Sequence, residues 1–230
     1  MNELIRYSLI TEKMPREFLL LQGTGCVWKK CKFCDYYLDT SDNPFYINKL
    51  VLDKITGEFG TLDIINSGSC LEFDDKTIEL IQRKVHEHKI HTLWFESHWI
   101  YRKNLSDFAN KFNNCNVNFR IGAETFNSKL RNEWNKGIPS SVTAKEISQY
   151  FKGCCLLVGV KGQTKNTVIN DIKTALEYFD YFSVNVFTEN TTNTKRDNNL
   201  IEWFISSVYP QIKNNPKIEI LLNNTDLGVG

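Results

Sequence analysis

The sequence lacks any substantial net charge and any concentrated basic region. Lys and Arg number 28 and Asp and Glu number 27 in 230 residues, which leaves a formal charge of +1. Proteins that hold duplex or transfer RNA usually neutralise phosphates with a clustered basic face. The longest local excess is Lys29, Lys30 and Lys32. This balance favours a small-molecule substrate and makes a nucleic acid an unexpected partner.

Long apolar runs are also absent. No run approaches the roughly 20 residues that a membrane-spanning helix needs. The first twenty residues have scattered charges and no apolar core, so we see no signal peptide. Seven cysteines, an odd number, in a chain without an export signal indicate reduced thiols or metal ligands. We expect a cytoplasmic protein with no membrane partner.

No linker, repeat or low-complexity segment divides the sequence, so we expect a single domain over residues 1–230. Short apolar runs alternate with amphipathic stretches along the chain. The predicted strands are Glu17–Gly23, Thr61–Asn66, His91–Ser97, Asn116–Thr125, Cys154–Val160, Tyr181–Phe187 and a possible last one at Lys217–Asn223. The predicted helices are Tyr46–Ile55, Lys76–His88, Asn104–Phe112, Thr167–Tyr178 and Leu200–Ile212, with helical segments around Leu130 and Ile147.

This alternation of strand and helix predicts an α/β fold with a parallel sheet. Six strand–helix units are fewer than the eight that close a full barrel, so we expect a partial (β/α)6 TIM-like barrel. Ligands of such sheets bind where the strands end, and polar and sulfur-bearing side chains collect after these strands. We therefore expect the functional site at that edge.

Three cysteines follow the first predicted strand at a C-x4-C-x2-C spacing. Cys26, Cys31 and Cys34 lie on one short loop. Gly23 and Gly25 allow the backbone to approach closely where the strand gives way to this loop. Three thiolates can hold a [4Fe–4S] cluster and leave one iron open for another ligand. A zinc site is the alternative, although it normally wants a fourth Cys or His.

This loop resembles that of the radical S-adenosylmethionine (SAM) superfamily, with one residue more than the usual C-x3-C-x2-C spacing. The family's aromatic residue before the last cysteine is present as Phe33. The resemblance implies a radical SAM core in which a [4Fe–4S] cluster chelates SAM and cleaves it reductively to a 5′-deoxyadenosyl radical. It also implies an external electron donor such as flavodoxin or ferredoxin.

Further residues match the positions at which this family binds SAM. By the resemblance, Asn66, Ser67, Gly68 and Ser69 take the place of the motif that binds the methionine amino group. Glu124 would face the ribose and Arg131 the methionine carboxylate, while Val158 and Asn185 would lie beside the cofactor. Ordinary structural roles stand against these assignments: a Ser-Gly-Ser turn, a helix-start acid at Glu124 and a solvated helix face at Arg131.

Ionisable groups after the third strand suggest a place for a flat base. A carboxylate can accept from both N1–H and the exocyclic amine of a guanine-type edge. We expect Glu72, Phe73, Glu96, His98 and Asp226 to bind the substrate, with Glu96 and His98 also catalytic. His98 as a structural histidine and the tail around Asp226 as a fraying terminus are the alternatives.

The whole chain resembles the small bacterial queuine lyases, which are radical SAM enzymes. That resemblance implies cleavage of the C–N bond of free queuine, which releases 7-aminomethyl-7-deazaguanine in queuosine salvage. Two alternatives remain open. One is a radical SAM enzyme that modifies another nucleobase or a tRNA, and the other is a non-catalytic iron–sulfur or zinc-binding module.

Overall fold

The structure is a computed structural model that describes residues 4–230. The chain divides into two compact units. The first runs from the start of the described chain to residue 29 and adds residues 36–119 and 227–230, and the second comprises residues 30–35 and 120–226. The single domain predicted over residues 1–230 remains a prediction.

Four strands form the sheet of the first unit. They are β1 (Tyr7–Ile10), β2 (Arg16–Leu21), β3 (Thr61–Asn66) and β4 (Thr92–Glu96). β1 pairs antiparallel with β2, whereas β2, β3 and β4 run parallel in chain order. Helices α1 (Phe45–Leu52) and α2 (Asp75–Glu87) connect the parallel strands, and α3 (Leu105–Ala109) follows β4.

The core of the first unit explains its continuous apolar strands. Leu19, Leu62 and Phe95 are 0% exposed, as expected for parallel strands that are covered on both faces. The predicted apolar face of α2 is confirmed, because Ile78 and Ile81 are among its buried residues. The helical spacing in the sequence therefore identifies the face of α2 that is buried.

The second unit continues the parallel pattern. β5 (Asn116–Glu124) begins in the first unit and ends in the second, where it is followed by β6 (Gly153–Val158), β7 (Tyr181–Val186) and β8 (Ile218–Leu221). These four strands pair in parallel in chain order. The helices of the second unit are α4 (Ser128–Glu133), α5 (Ala144–Ser148), α6 (Lys165–Tyr178), α7 (Asn198–Trp203) and α8 (Tyr209–Ile212).

Each of the seven predicted strands is present with its ends shifted by two residues or fewer, and the strand Thr61–Asn66 has the predicted bounds. Two features differ from the prediction. β1 was not expected, and the predicted helix Leu200–Ile212 is divided by a π-helical segment at Phe204–Val208. Pro210 lies just beyond this segment and lacks an amide hydrogen, so a regular α-helical ladder cannot continue through it.

Among residues 4–230, no helix is both long and apolar enough to cross a membrane.

Candidate active site

The residues that the sequence assigns to the site lie at the carboxyl ends of parallel strands or in the loops that follow them. In the first unit they follow β2, β3 and β4, and in the second they lie in the segment 30–35 after β2 or follow β5, β6, β7 and β8. Open parallel sheets bind their ligands at this end of their strands.

Glu72 fastens the start of the cysteine loop to the loop after β3. Its carboxylate accepts hydrogen bonds from the amide of Val27 at 2.8 Å and the amide of Ser69 at 2.7 Å. The hydroxyl of Tyr101 donates to the same carboxylate at 3.2 Å. Burial raises the pKa of Glu72, although these donors favour its charged form. Both carboxylate oxygens of Glu72 thus already accept hydrogen bonds from the protein. Its role as a substrate ligand stays a prediction.

Glycine is required at two positions beside this carboxylate. A Cβ atom on Gly68 would lie 1.9 Å from Oε2 of Glu72 and 2.7 Å from the carbonyl oxygen of Gly25. A Cβ atom on Gly23 would lie 2.9 Å from Nδ2 of Asn66. The loops after β2 and β3 therefore approach one another more closely than residues with side chains would permit.

The segment Asn66–Ser69 is held on both sides. Nδ2 of Asn66 donates to the carbonyl of Ser69 at 3.0 Å, and the hydroxyl of Ser67 donates to the carbonyl of Asp39 at 2.8 Å. Asp39 is itself paired with Arg6 at 2.6 Å. Burial opposes ionisation of Asp39, but the hydrogen bonds from Arg6 and Gln22 outweigh it and hold the pKa of Asp39 below its usual range. The segment is thus more than an isolated turn.

His98 and Trp28 form an aromatic platform in the first unit. Their ring centroids are 5.3 Å apart and the ring planes differ by 19°. Both side chains are half-buried. The amide of His98 donates to Oγ of Ser69 at 2.9 Å, which links the ends of β3 and β4. Trp28 was not assigned a role from the sequence, because stacking partners that lie seventy residues apart leave no local pattern.

Two further predicted substrate residues lie near these elements in the chain. Glu96 ends β4 and is half-buried, and Phe73 is 8% exposed directly after the Cys70–Glu72 turn. Their roles stay predictions.

In the second unit, the segment Lys30–Asp35 is fastened to the loop after β7. Nδ2 of Asn190 donates to the carbonyl of Phe33 at 2.8 Å, and the hydroxyl of Thr194 donates to the carbonyl of Lys32 at 2.6 Å. The hydroxyl of Thr191 donates to the carboxylate of Asp35 at 2.9 Å. The sequence analysis missed this loop, whose run of Thr and Asn residues was the available signal.

Cys31 and Cys34 pack against a buried apolar group in this unit. Its members are Phe33, Leu130, Trp134, Leu157, Val160 and Phe187. The ring of Phe33 meets that of Trp134 edge to face, with centroids 5.8 Å apart. The family's aromatic position is therefore occupied by a core residue that sets the position of the two cysteines beside it.

Lys136 is a charged residue of this region to which the sequence analysis gave no role. Its Nζ lies 2.9 Å from Oε1 of Glu124 and 5.6 Å from the centre of the Phe33 ring. Burial disfavours its charge, but the negative charges of the Glu124 carboxylate and of the Cys31 and Cys34 thiolates outweigh that effect and raise the pKa of Lys136. The stretch Asn135-Lys136-Gly137, which follows α4 in the sequence, was the available signal for it.

The backbone conformation at the end of β5 places the carboxylate of Glu124 beside Lys136. The pairing of β5 with β6 shifts register between Gly122 and Glu124, and the φ angle of Glu124 is +64°. A Cβ atom on Gly122 would lie 2.5 Å from Oε1 of Glu124 and 2.8 Å from Nζ of Lys136. A left-handed conformation at a residue other than Gly is strained, and such strain is common at functional sites. The helix-start alternative for Glu124 is wrong, because α4 is capped by Asn127.

Arg131 is 1% exposed, so the alternative of a solvated helix face is wrong. Its Nη2 donates to the carbonyls of Pro139 at 3.1 Å and Val142 at 2.8 Å. Burial lowers the pKa of Arg131. Its Nε is shielded from solvent and has no hydrogen-bond partner among residues 4–230. One donor of this guanidinium therefore remains for an outside acceptor.

Asn185 and Val158 lie at the ends of β7 and β6. Within the described part of the chain, Oδ1 of Asn185 is buried and lacks a hydrogen-bond partner. Val158 is 2% exposed and precedes Gly159, whose φ of +91° bends the chain away from the strand. A buried acceptor without a partner costs stability unless a ligand satisfies it.

The carboxylate of Asp226 is used within its own turn. Its Oδ2 accepts from the amides of Leu222 at 2.7 Å and Asn223 at 2.9 Å. The side chain is exposed. The substrate role assigned to Asp226 stays a prediction.

The chemistry of the donor set fits an iron–sulfur cluster. None of the three loop cysteines is in a disulfide and all are partly exposed, and the amide of Lys29 donates to Sγ of Cys26 at 3.4 Å. Within residues 4–230, no group of three His, Cys, Asp or Glu side chains is arranged to hold a metal ion. The fit therefore rests on the three thiols and on the amide that donates to one of them. Of the other cysteines, Cys70, Cys154 and Cys155 are buried, whereas Cys115 is half-buried.

Solved structures give the relatives of this fold. The chain matches methylornithine synthase with 19% identity and a TM-score of 0.61, over 88% of this chain and 63% of that one. It matches SuiB of Streptococcus suis with 16% identity and a TM-score of 0.55, over 91% of this chain and 50% of that one. No family model and no curated protein matches the chain.

These two likenesses concern the fold alone, and the predicted partial barrel with a radical SAM core is confirmed by a more similar relative. A third structure is much more similar: a queuine lyase from Clostridium spiroforme, bound to SAM and queuine. It is 42% identical, with a TM-score of 0.95, over 99% of this chain and 100% of that one. The chain belongs to the queuine lyase family.

Proposed function

We propose that this protein is a radical SAM lyase that cleaves the C–N bond of free queuine and releases 7-aminomethyl-7-deazaguanine. The observation that carries the proposal is the match, over both whole chains, to a queuine lyase with SAM and queuine bound. The loop with Cys26, Cys31 and Cys34 agrees with it, because three thiolates can hold a [4Fe–4S] cluster with one open iron.

When bound, the cluster and SAM supply a reductively generated 5′-deoxyadenosyl radical that takes a hydrogen atom from the substrate. The protein's share is to hold, orient and shield them. Cys26, Cys31 and Cys34 are the cluster ligands of this proposal. Residues assigned to SAM are Phe33, Asn66, Ser67, Gly68, Ser69, Glu124, Arg131, Val158 and Asn185.

Two buried polar atoms of the second unit support a cofactor there. Nε of Arg131 is a donor without a partner, and Oδ1 of Asn185 is an acceptor without a partner, within residues 4–230. The methionine carboxylate and the adenine amino group of SAM have the complementary chemistry. Binding of SAM would satisfy atoms that otherwise destabilise the fold.

The aromatic platform of Trp28 and His98 suits a flat 7-deazaguanine. Stacking on such rings is a general way to hold a base that is not in a duplex. Glu96, half-buried at the end of β4, is the carboxylate assigned to the N1–H and exocyclic amine of the base. Glu72 supports the site by fixing the cysteine loop.

We further propose that the enzyme works in the cytoplasm and receives electrons from a flavodoxin or ferredoxin. The first part agrees with three partly exposed loop cysteines that form no disulfide, since thiols stay reduced in that compartment. The second follows from the chemistry, because cleavage of SAM consumes one electron that no residue of the chain supplies.

Incubation of the reduced, cluster-loaded protein with SAM and queuine tests the function. We expect release of 7-aminomethyl-7-deazaguanine and formation of 5′-deoxyadenosine, both followed by liquid chromatography and mass spectrometry. Unchanged queuine alongside continued cleavage of SAM would reject the substrate.

The variant Cys31→Ala tests the cluster ligands. Loss of one of three thiolates should remove the cluster, so iron content, broad absorbance near ~400 nm and SAM cleavage should all fall to background. Cys115→Ala is the matched control, because Cys115 is half-buried outside the loop and its loss should leave iron content unchanged. Full iron content in Cys31→Ala would identify another residue as the ligand.

A further inference from the structure

We propose that the side chain of Gln22 accepts a hydrogen bond from a hydroxyl group of the substrate's cyclopentenediol. This inference rests on the proposed function and deepens it, because it assigns a residue to the part of queuine that lies beyond the base. The sequence analysis gave Gln22 no role. The assignment depends on the face of the sheet on which this residue lies and on one buried acceptor.

The alternation of side chains along β2 sets the face on which Gln22 lies. The carboxylate of Glu17 accepts from the amides of Thr56 at 2.9 Å and Gly57 at 2.6 Å, in the loop that follows α1. Successive side chains of a strand point to opposite faces. Leu20 and, one residue beyond β2, Gln22 therefore point to the face opposite to that loop.

This opposite face is partly open near the carboxyl ends of the strands. Leu20 is paired with Ile65 of β3, and both side chains are half-buried. Their chain neighbours Leu19, Leu21 and Ile64, which point to the other face, are 0% exposed. The open face thus presents a pair of apolar side chains to a ligand.

The same face is closed toward the amino ends of the strands. Arg16 and Asp63 lie an even number of positions before Leu20 and Ile65, and therefore on the same face. They form an ion pair at 2.9 Å in which both side chains are 0% exposed. Phe18, between Arg16 and Leu20, is 3% exposed. The open part is therefore confined to the end of the strands at which the site lies.

Polar residues follow this apolar pair, and Asp39 holds them. Nε2 of Gln22 donates to Oδ1 of Asp39 at 2.7 Å, and the hydroxyl of Ser67 donates to the carbonyl of Asp39 at 2.8 Å. Ser67 comes two residues after Ile65, so it lies on the same face as Gln22. The carboxylate of Asp39 is paired with Arg6 at 2.6 Å, which balances the charge of this polar group.

Gln22 retains one acceptor for an outside group. The residue is 7% exposed. Among residues 4–230, its Oε1 is shielded from solvent and has no hydrogen-bond partner. A buried acceptor of this kind costs stability unless a donor satisfies it. Because Nε2 of the same amide is bound to Asp39, Oε1 is held in place before a ligand arrives.

The surroundings of Oε1 indicate the chemistry of its donor. An amide oxygen is a neutral acceptor, and the nearby charge of Asp39 is already balanced by Arg6. A neutral hydroxyl therefore suits this place better than an ammonium group. A cyclopentenediol combines hydroxyl groups with an apolar ring, which Leu20 and Ile65 can contact. The flat base is assigned to the aromatic platform, which leaves the diol for Gln22.

Binding to the cluster-loaded enzyme with SAM, in the absence of a reductant, tests the proposal without turnover. Calorimetry compares queuine with an analogue whose cyclopentene ring lacks both hydroxyl groups. The wild type should bind the analogue about tenfold or more weakly, because the analogue leaves a buried acceptor unpaired. Gln22→Met keeps the length of the side chain but removes this acceptor, so the difference should shrink to about threefold or less.

Gln82→Met is the matched control for this substitution. Gln82 lies in α2 of the same unit, where its Nε2 donates to the carbonyl of Lys111 at 2.7 Å. This variant should prefer queuine to the analogue as strongly as the wild type does. An equally strong preference in Gln22→Met would overturn the proposal.

A measurement on the wild type alone keeps the proposal falsifiable if Gln22→Met does not fold. Equal affinity for queuine and the analogue, in an enzyme that cleaves queuine, would overturn the assignment of Gln22 and leave the proposed function intact. Queuine that neither binds nor is cleaved would overturn the proposed function itself.

Discussion

Nδ1 of His98 accepts a hydrogen bond from the amide of Ile100 at 3.3 Å. A neutral imidazole that accepts at Nδ1 carries its proton on Nε2. The ring nitrogen of His98 that carries the proton is therefore Nε2. The ring is also held by its stack on Trp28.

The substitutions His98→Asn and His98→Gln separate a catalytic from a structural histidine. The amide oxygen of Asn can replace Nδ1 as the acceptor for Ile100, whereas only Gln extends a donor toward the position of Nε2. If Nε2–H acts on the substrate, His98→Asn should lower kcat for queuine cleavage about 100-fold, and His98→Gln should retain more activity. Near-normal turnover by the Asn variant would assign His98 to structure.

Residue identities at the site could be predicted where a local pattern exists. The three cysteines and the Asn66–Ser69 segment each lie within a few positions of one another in the sequence. The pair of Glu124 with Lys136 could not be predicted, because it depends on the register shift in β5 and on the positive φ of Glu124. The hydrogen bonds from backbone amides to both carboxylate oxygens of Glu72 could not be predicted either.

At the scale of elements, the closeness of the loops after β2 and β3 depends on Gly68. Gly68→Ala would drive a methyl group into the Glu72 carboxylate and the backbone of Gly25. The amides of Val27 and Ser69 would then lose their acceptor and the cysteine loop would loosen. We expect about tenfold weaker SAM binding and reduced iron content, measured by calorimetry and iron analysis.

Gly25→Ala is the control for this prediction. A Cβ atom on Gly25 would meet nothing within 4 Å, so the variant should bind SAM and iron as the wild type does. Equal behaviour of the two alanine variants would show that the contact with Glu72 does not position the loop.

Asp171 links helix α6 to the end of β5. Its carboxylate accepts from the hydroxyl of Thr125 and the amide of Phe126, both at 2.7 Å. Burial raises the pKa of Asp171 to about 6. Because the unfolded chain ionises this group near pH 4, stability should fall as pH rises from about 4 through 6, by at most about 3 kcal/mol.

Urea unfolding of the cluster-free protein checks this pH dependence. Asp171→Asn removes a hydrogen-bond acceptor at every pH, but it also removes the cost of ionisation. Its destabilisation relative to the wild type should therefore be about 2 kcal/mol smaller at pH 7 than at pH 4. A difference that stays constant with pH would contradict the raised pKa.

For the whole molecule, the near-zero net charge predicts that the substrate is a free base and not a base within tRNA. A chain with 28 basic and 27 acidic residues offers little to phosphates, so at about 150 mM salt we expect tRNA binding no tighter than about 100 µM. Fluorescence anisotropy with labelled tRNA measures this, and free queuine should be cleaved whereas queuosine within tRNA should not. Saturable binding of tRNA at low micromolar concentration would contradict the prediction.

Most of the fold could be predicted from the sequence, because parallel strands that are covered on both faces form continuous apolar runs. β1 has four residues, of which none is fully buried. Its pairing with β2 is made by backbone groups, which any sequence can supply. Such an edge strand cannot be recognised from side-chain pattern.

The fastening of Phe33 to Asn190 has a consequence for how the enzyme matures. These residues are separated by 157 positions, so ribosomes complete the cysteine-bearing segment long before they make the loop that clasps it. While the chain is still being made, Cys31 and Cys34 lack the support of this hydrogen bond. The hydrogen bond that holds the segment with Cys31 and Cys34 can therefore form only after the loop of Asn190 has been synthesised.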